Sequence, residues 1–516
     1  MFGGENKRQK ILALLTMCFA LFMAMLDNTV VNVALPTLSR DLGAGVSDLQ
    51  WIVDGYVLAF ASLLLTGGIL GDRYGRKRAF MAGLVIFTIS SLMCGLSDTT
   101  QMLIIFRALQ GIGGALLIPG TLSILTVTFP PSERAQALGI WAGVSGVALA
   151  LGPTLGGYMI EHVGWESVFF LNVPIGVIGL AVAARVITES RAPHARRLDV
   201  PGLAIGTSAL FSITYGLIGS NQRGWTHPIT VGTLVAGAGL LVAFFLWERH
   251  SPDAMMPLAM FRIRAFSAGN TVAFAISFGM FGAFFFMSLY MQMIRGYSPV
   301  ESGIRFLPMT GMIIVAAPLA GRFASRLGSR LPITIGMLLA ATGQFLISRI
   351  SADTPFALIT PLLMIMGVGM GMTMAPMTAA VMNAVGAERA GLGSATTNTS
   401  REVGGVFGVA LLGSLLTTRL KSSLGTALAA AHLPAAQYAS IVEGAGHGRI
   451  DPSLFRGMAP QQIGLVTQSF GNAFLDGFQL ALLVGSIVLA AAALVAFAFI
   501  PHGAPTHHDH EHIAVH

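Results

Sequence analysis

Charged residues are scarce in this sequence. Asp, Glu, Lys and Arg make up only 10% of its 516 residues, whereas hydrophobic residues make up 54% and the mean hydropathy is +0.73. A soluble globular protein of this length needs far more polar surface, so that class is excluded. Apolar runs of about 20 residues recur along the chain, each long enough to cross a hydrocarbon core as an α-helix. The sequence therefore predicts an all-α polytopic membrane protein.

Cysteine and the sequence signatures of common enzymes are equally scarce. The two cysteines, Cys18 and Cys94, both fall in apolar runs, so we expect no structural disulfide. The zinc motif HExxH, the nucleophile motif GxSxG and the phosphate-binding loop GxxxxGK[ST] are all missing. No polar segment is large enough to bind a nucleotide. We therefore expect no enzyme, no cofactor and no metal site.

The apolar runs predict fourteen membrane spans. They cover residues 11–36, 50–70, 79–97, 101–127, 134–160, 165–188, 200–219, 228–249, 266–294, 302–322, 331–349, 355–382, 390–418 and 471–500. An even number places both termini on one side. Most Lys and Arg residues of the short loops fall on that side, and only Arg40, Arg223, Arg295, Arg305 and Arg349 fall on the other. By the positive-inside rule we expect a multi-pass protein of the cytoplasmic membrane with both termini in the cytoplasm.

The basic balance of the chain has the same explanation. The net charge is +7 and the isoelectric point is near 9.8, but the basic residues stand singly or in short clusters at the ends of spans. Such a pattern sets membrane topology and forms no face for nucleic acid, so we expect no nucleic-acid partner.

Three local similarities recur at nearly one spacing. GGILGDRYGRK aligns with AGRFASRLGSR, SERAQALG with AERAGLGS, and GIGGALLIP with GVGMGMTMAP. The offsets are 253 residues from Gly68 to Gly321, 255 from Arg134 to Arg389 and 257 from Pro119 to Pro376. Such repetition predicts two six-helix halves in the same orientation, as in transporters whose halves move about a central site. Spans 7 and 8 are then inserted between the halves.

This arrangement divides the chain into four parts. They are an N-terminal six-helix bundle at 1–190, two inserted membrane helices with flanking cytoplasmic loops at 191–264, a C-terminal six-helix bundle with a long outer loop (422–470) at 265–500, and a His-rich cytoplasmic tail at 501–516. A His-rich tail of this kind usually has no ordered metal site.

Six motifs of the first half are more specific than composition. They are LDNTVVNVALP, WIVDGYVLAF, GGILGDRYGRK, RALQGIGGALLIPG, GVALALGPTLGG and WESVFFLNVPIG. Together they resemble the major facilitator superfamily, in its branch of fourteen-span drug:proton antiporters, and the resemblance covers essentially the whole chain. It implies two six-helix bundles plus two inserted helices, and alternating access driven by the proton gradient.

The same resemblance implies a function. The expected protein is a multidrug efflux antiporter that exports lipophilic, often cationic, drugs or toxic compounds. Its partners are then the lipid bilayer, protons and small hydrophobic or cationic substrates, and we expect it to work as a monomer. Export of one specific physiological metabolite or of a metal-ion complex by the same fold stays open.

Ionisable residues inside the predicted spans are the first candidate site. A charge there costs roughly 2.5–3.5 kcal/mol on insertion scales and therefore indicates a function. Asp27, Asp54 and Arg107 lie at similar depths, so we expect them to face one cavity. The resemblance implies that they couple proton entry to substrate export. Glu402 is a further candidate, although a self-neutralised pair with Arg401, hydrogen bonding by Asp27 between helices and simple hydration of Asp54 stay open.

The charges between spans 2 and 3 form a second candidate site. The positive residues fix this loop on the cytoplasmic side, but Asp72 contributes little to orientation. We expect Asp72 to contact a helix end of the other bundle in one state and to release it in the other, as the resemblance also implies. The gating motif comprises Gly68, Asp72, Arg73, Gly75 and Arg76. Its second-half copy has Ser325 in place of Asp72, which argues against a symmetric gate.

Small residues repeat along span 5 at helical spacing. Ala148, Gly152 and Gly156 allow a facing helix to approach closely, and Pro153 can bend the helix. The resemblance implies an antiporter motif that shapes the interface between the halves, formed by Gly152, Pro153, Gly156 and Gly157. Ordinary close packing is the alternative.

Span 9 is rich in Phe and Met and offers an adaptable surface for aromatic cations. The possible substrate contacts are Phe281, Phe285, Tyr290 and Met291. The alternative is that this helix faces lipid over much of its circumference.

Overall fold

The computed structural model describes residues 4–44, 46–191, 199–251, 258–385, 389–430, 440–442 and 458–501, and these residues contain helices and no strand. The first half contains α1 (Gly4–Asp41), α2 (Val46–Tyr74), α3 (Arg76–Gly95), α4 (Thr100–Thr128), α5 (Pro131–His162), α6 (Ser167–Phe170) and α7 (Asn172–Val186). Two helices follow, α8 (Val200–Arg223) and α9 (Pro228–His250). The second half contains α10 (Arg264–Leu289), α11 (Pro299–Arg305), α12 (Leu307–Leu327), α13 (Arg330–Ile347), α14 (Phe356–Val385), α15 (Ala390–Ala430) and α16 (Pro460–Phe499).

The helices account for all the predicted spans. Within the described residues, 13 segments are long and apolar enough to cross a membrane, among them α6 with α7 as one span. The helix α5 occupies the place of the predicted span 5, and its 32 residues exceed the roughly 20 that a crossing needs. The all-α polytopic fold is confirmed, with a helix at each of the fourteen predicted positions.

The predicted outer loop at 422–470 is partly helical. The helix α15 continues to Ala430, and α16 already begins at Pro460. Leu420, Leu424 and Leu428 on α15 are buried, as is Val466 on α16. Packing between the two extended helices therefore continues beyond the predicted spans and shortens the connection between them.

The two halves repeat the same helix contacts. The helix α4 packs on α2 and α3, and α14 packs on α12 and α13. Glycine pairs bring the backbones together at both places: a Cβ added at Gly83 would lie 2.8 Å from the Gly113 oxygen, and one at Gly336 would lie 2.7 Å from the Gly369 oxygen. Gly83 and Gly336 are 253 residues apart, which is one of the offsets of the sequence repeat.

The halves meet along two seams, α2 with α15 and α5 with α12. The helix α8 packs on both α2 and α15, and Thr66 on α2 shares a hydrogen bond of 2.9 Å with Thr207 on α8. The helix α9 packs mainly on α8. The exact division at 190 and 264 stays a prediction, because 192–198, 252–257 and 502–516 lie outside the described residues.

Candidate functional site

A buried ion pair joins α1 and α4 within the first half. Arg107 Nη1 donates a hydrogen bond to Asp27 Oδ2 at 2.6 Å, and the two residues are 0% and 2% exposed. A pair so far from water is stable only when further hydrogen bonds satisfy its remaining polar atoms. The surrounding helices provide such bonds.

Two amide side chains complete the Asp27 site. Gln110 Nε2 and Asn172 Nδ2 donate to Asp27 Oδ1 at 2.9 and 2.8 Å. Arg107 also donates to Gln110 Oε1 at 2.7 Å and to the Ile52 carbonyl at 3.2 Å. Neither amide was a candidate from the sequence. The spacing of Gln110, three residues after Arg107 in RALQG, is the signal that could have indicated it.

The Asp27 site has some polar atoms left over. The Arg107 guanidinium lies over the Tyr56 ring, 4.4 Å from its centroid. Among the described side chains, Arg107 Nη2 and Asn172 Oδ1 are buried without a hydrogen-bond partner. The polar network is therefore only partly satisfied, and the buried Arg107 charge is compensated by that of Asp27. A proton on Asp27 would remove the charge that holds Arg107.

Asp54 lies apart from the Asp27 site, which corrects the expectation of one shared cavity. Ile52 and Tyr56 on α2 both contact Arg107. Asp54 lies between them in sequence, so helical geometry turns it about 200° away. Asp54 is partly exposed, whereas Asp27 and Arg107 are buried. Equal depth in neighbouring spans therefore did not place these three groups on one surface.

Arg401 and Glu402 lie in the first third of α15 and are both partly exposed. Consecutive helical residues point about 100° apart. No contact ion pair joins these two described side chains, which removes the simplest form of the self-neutralised pair, although Arg401 and Glu402 interact electrostatically over a longer distance. Glu402 is also close enough to Tyr56 on α2 for the two side chains to interact electrostatically.

Asp72 bridges the two halves at the end of the molecule where α2 meets α3, called here the α2–α3 end. Its Oδ1 accepts the Gly391 N–H and its Oδ2 accepts the Leu392 N–H, both at 2.9 Å. These donors belong to the first turn of α15, where backbone N–H groups have no partner within the helix and the helix dipole favours a negative charge. Arg76 pairs with Asp72 Oδ1 at 2.7 Å. The contact has the geometry that the latch hypothesis requires, and its release during transport stays a prediction.

Two glycines of the gating motif allow these contacts. A Cβ at Gly68 would lie 2.5 Å from the Gly391 oxygen, so only glycine lets α2 and α15 come this close. Gly75 has a φ of 120°, a left-handed conformation that favours glycine, and a Cβ there would lie 2.6 Å from the Glu189 carboxylate. Glu189 in turn accepts the N–H groups of Lys77 and Arg78 at the start of α3. Arg73 lies beside the Tyr74 ring.

Two more contacts close the α2–α3 end, and the sequence did not indicate their partners. Arg134 on α5 is buried and donates to Asn383 Oδ1 on α14 at 2.6 Å and to the Thr126 carbonyl at 2.9 Å. Ser394 on α15 donates to the Pro119 carbonyl on α4 at 3.0 Å. The halves are therefore closed together at this end.

Two glycines of the antiporter motif pack within the first half, and the expected part of the motif in the interface between the halves stays a prediction. A Cβ at Gly156 would lie 2.6 Å from Val30 on α1, and Gly152 faces Thr29 on the same helix. Among the described residues of the motif, Gly157 approaches Val300 of the second half. The side chain of Pro153 is not among those described.

Earlier glycines on α5 make the close approach between the halves. A Cβ at Gly139 would lie 2.8 Å from the Ala317 oxygen on α12, and one at Gly143 would lie 3.7 Å from the Ile314 oxygen. The sequence did not single out these positions, since a glycine spacing shows that a helix can be approached but not which helix approaches it.

The four aromatic and methionine candidates of span 9 divide into two pairs. Phe281 and Phe285 are 37% and 47% exposed. Tyr290 and Met291 are 0% and 1% exposed, and Tyr290 donates to the Ser351 carbonyl and stacks on Phe478. Tyr290 and Met291 are therefore part of the core of the second half and not an accessible surface, which corrects their proposed contact with substrate.

Across the described part of the chain, no group of three or more His, Cys, Asp or Glu side chains is placed to hold a metal ion. Most of the His-rich tail lies outside that part.

Two related helix bundles, two seams between them and a charged contact that closes one end define a membrane transporter of the two-bundle class. The chain belongs to the Major Facilitator Superfamily, whose sequence profile matches residues 17–409.

Named relatives match nearly the whole chain. The Tetracenomycin C resistance and export protein of Streptomyces glaucescens is 37% identical over 490 residues, which cover 94% of this chain and 90% of the relative. The Multidrug resistance protein Stp of Mycobacterium tuberculosis is 31% identical over 96% of this chain and 93% of its own length. The Multidrug transporter protein MdtP of Bacillus subtilis is 30% identical over 95% of this chain and 93% of its own length.

Solved structures share the fold. The proton:xylose symporter XylE, bound to 6-bromo-6-deoxy-D-glucose, superposes with a TM-score of 0.62 at 13% identity and covers 96% of this chain and 97% of its own. The human organic anion transporter MFSD10 (TETRAN) gives a TM-score of 0.59 at 14% identity, with coverage of 96% and 100%. At these identities the likeness shows the fold alone.

Proposed function

We propose that this protein is a proton-coupled antiporter that exports lipophilic, often cationic, drugs across the cytoplasmic membrane, with both termini in the cytoplasm. Relatives named for antibiotic resistance, export and multidrug transport support the drug-export part. The observation that carries the proton coupling is the Asp27 carboxylate, which is buried and held by Arg107, Gln110 and Asn172. The proposed working unit is a monomer, and it requires no cofactor.

In this proposal Asp27 exchanges one proton per transport cycle. The ionised carboxylate on α1 holds Arg107 and Gln110 of α4 and Asn172 of α7. These hydrogen bonds tie α1, α4 and α7 together. A proton on Asp27 neutralises the carboxylate, and the buried Arg107 then loses the charge that compensates its own. The resulting shift of α4 against α1 and α7 is the change that favours one arrangement of the bundles over the other.

Asp54 and Glu402 have a different part in the proposal. Both are partly exposed, whereas Asp27 is closed off, so they are the carboxylates that a cationic substrate can reach. The Asp72 contact closes the α2–α3 end while the substrate leaves at the other end. Coupling then requires that the contact form and break in step with the charge of Asp27.

Dye efflux by matched variants tests the proposal. In everted vesicles with equal amounts of inserted protein, Asp27→Asn should abolish efflux driven by a proton gradient, because the amide mimics the neutral carboxyl group permanently. Asp27→Glu should retain part of the activity, since its carboxyl group still titrates. Asp476→Asn, which changes an exposed carboxylate on α16, is the control and should behave like the parent.

Two results would count against this proposal. Full gradient-driven efflux by Asp27→Asn would exclude Asp27 as an obligatory proton carrier. A panel of dyes, quaternary ammonium compounds and antibiotics, none exported with or without a protonophore, would favour the export of one specific metabolite instead.

Reporter fusions test the orientation. A reporter that is active only in the cytoplasm should be active after Arg197 and after Arg264, because the pair α8 and α9 returns the chain to the same side. Opposite activities at the two positions would contradict the proposed topology.

A further inference from the structure

The Asp27 site needs a hydrogen-bond acceptor once its carboxyl group carries a proton. Asp27 Oδ1 accepts two N–H groups, from Gln110 Nε2 at 2.9 Å and from Asn172 Nδ2 at 2.8 Å. Oδ1 is the better place for the proton, because Oδ2 faces the Arg107 guanidinium, whose N–H groups are all donors. A proton on Oδ1 takes up one lone pair of that oxygen. One of the two amides must then present its oxygen in place of an N–H group.

Gln110 is fixed in its present orientation. Its Oε1 accepts a hydrogen bond from Arg107 Nη1 at 2.7 Å, and its Nε2 donates to Asp27. Turning this amide over would bring its N–H groups against those of the guanidinium, which has no acceptor. Gln110 therefore stays a donor to Asp27 whether or not the carboxyl group carries a proton.

Asn172 has no such restraint. Its Nδ2 donates to Asp27 Oδ1 and, at 3.0 Å, to Ser91 Oγ, whereas its Oδ1 is buried without a hydrogen-bond partner within the part of the chain that the structure describes. Turning this amide breaks no hydrogen bond at Oδ1 and brings that oxygen to Asp27. The Ser91 hydroxyl suits both orientations, because it accepts an N–H group now and can donate to the oxygen after the turn, in place of its bond to the Phe169 carbonyl.

The charged and titratable groups around Asp27 offer no other acceptor. They are Arg107 on α4, Tyr56 on α2 and Cys94 on α3. Arg107 has donors only, and the Tyr56 ring lies against its guanidinium, 4.4 Å from the centroid. The Cys94 thiol lies toward Gln110, with Sγ 3.9 Å from Oε1. Asn172 is therefore the partner that remains for a protonated Asp27.

We propose that Asn172 completes the proton site by turning its amide. It donates to Asp27 while the carboxylate is ionised and accepts from the carboxyl O–H group once a proton is bound. The proton comes from bulk water, the new O–H bond forms at Oδ1, and one N–H···O bond is exchanged for an O–H···O bond of opposite direction. Asn172 and Ser91 are 1% and 0% exposed, and in so buried a place an unsatisfied polar group is costly. This inference rests on the proposed function, because it names a further residue for the proton exchange at Asp27.

Infrared difference spectra between high and low pH test the exchange. The purified full-length protein carries isotopically labelled asparagine, so that asparagine bands are identified by their isotope shift. Proton binding should produce a carboxyl band that is absent in Asp27→Asn. In the parent an asparagine amide band should change with the same pH midpoint, because the amide carbonyl gains a hydrogen bond when it accepts the O–H group. This change should also be absent in Asp27→Asn, so the test does not depend on the folding of an Asn172 variant.

Substitutions at Asn172 assign the amide band. The change should be absent in Asn172→Leu, which keeps the approximate size of the side chain without its polar atoms. Asn472→Leu, which replaces an exposed asparagine on α16, is the control and should keep the change. Gradient-driven efflux should fall by roughly tenfold or more in Asn172→Leu, as for a lost hydrogen bond to a charged group. Asn172→Ser should retain part of the efflux, because a hydroxyl both donates and accepts.

Three results would overturn the inference. They are an Asp27 carboxyl band without any change of an asparagine band in the parent, an asparagine change that persists in Asn172→Leu, and gradient-driven efflux by Asn172→Leu at the rate of the parent. Each of these leaves Asp27 as the proposed proton carrier. A parent without a carboxyl band that depends on Asp27 would contradict both the inference and the proposed coupling.

Discussion

Replacing Asp72 with asparagine should open the α2–α3 end. The carboxylate accepts two backbone N–H groups of α15, and an asparagine at this position is neutral and accepts through one oxygen only. Hydrogen bonds to charged groups contribute about 1.5–3 kcal/mol each and neutral ones about 0.5–1.5 kcal/mol. Arg76, which is 2% exposed, also loses the negative charge of Asp72 in the closed state. The closed state should therefore lose about 2–4 kcal/mol, a shift of roughly 30- to 700-fold in its population relative to the open state.

A buried thiol reports on this shift. Ser394 is 0% exposed and lies at the α2–α3 end, so Ser394→Cys gives a nearly isosteric probe that reacts with a maleimide only when the halves separate. Labelling of the purified Ser394→Cys protein should become at least tenfold faster when Asp72→Asn is added. The native Cys18 and Cys94 are buried and set a low background, which the parent protein measures.

A matched control is available at the same end of the molecule. Lys10 and Glu133 form a more exposed ion pair within the first half, at 2.9 Å. Exposed pairs of this kind contribute less than about 1 kcal/mol, so Glu133→Gln should leave the labelling rate within a factor of about three. Equal labelling rates in the Asp72→Asn variant and the parent would refute the assigned role of Asp72 in closing this end.

Further predictions concern the seams and the core. Gly139→Val should abolish transport in efflux assays at equal expression, because the valine side chain would meet the backbone of α12. Gly232→Val on α9 should transport like the parent, because no atom lies within 4 Å of a Cβ added there. Asn383→Leu should speed labelling of the Ser394→Cys probe several-fold, since it leaves buried Arg134 without its partner across the halves, and an unchanged rate would make that contact incidental. Tyr290→Phe should lower the melting temperature without altering the order of preferred substrates; an altered order would return Tyr290 to the substrate site.

Hydrophobic length alone could locate the fourteen helices. In lipid every backbone polar group must bond within its own segment, so a sufficiently long apolar run has no alternative to a helix. The same rule ends at the membrane surface. The extensions of α15 to Ala430 and of α16 from Pro460 depend on packing between the two helices. The sequence pattern of each segment by itself did not indicate this packing.

The candidate site was predictable where charge is costly. Asp27 and Arg107 were identifiable because ionised groups in a span require a reason. Their direct contact was not predictable, because the rotation of each helix decides which groups meet. The roles of Gln110 and Asn172 were not predictable either, because uncharged amides carry no such cost. Asp54 illustrates the same limit, since equal depth says nothing about the direction in which a side chain points.

The inserted pair α8 and α9 also constrains how a chain of this type can grow. Two antiparallel helices joined by a short turn add no net crossing, so the second half keeps the orientation that its repeat with the first half requires. One extra helix would invert α10 through α16, and the glycines that let α5 approach α12 and α2 approach α15 would no longer face those helices. Acceptable insertions between the halves therefore come in even numbers of helices.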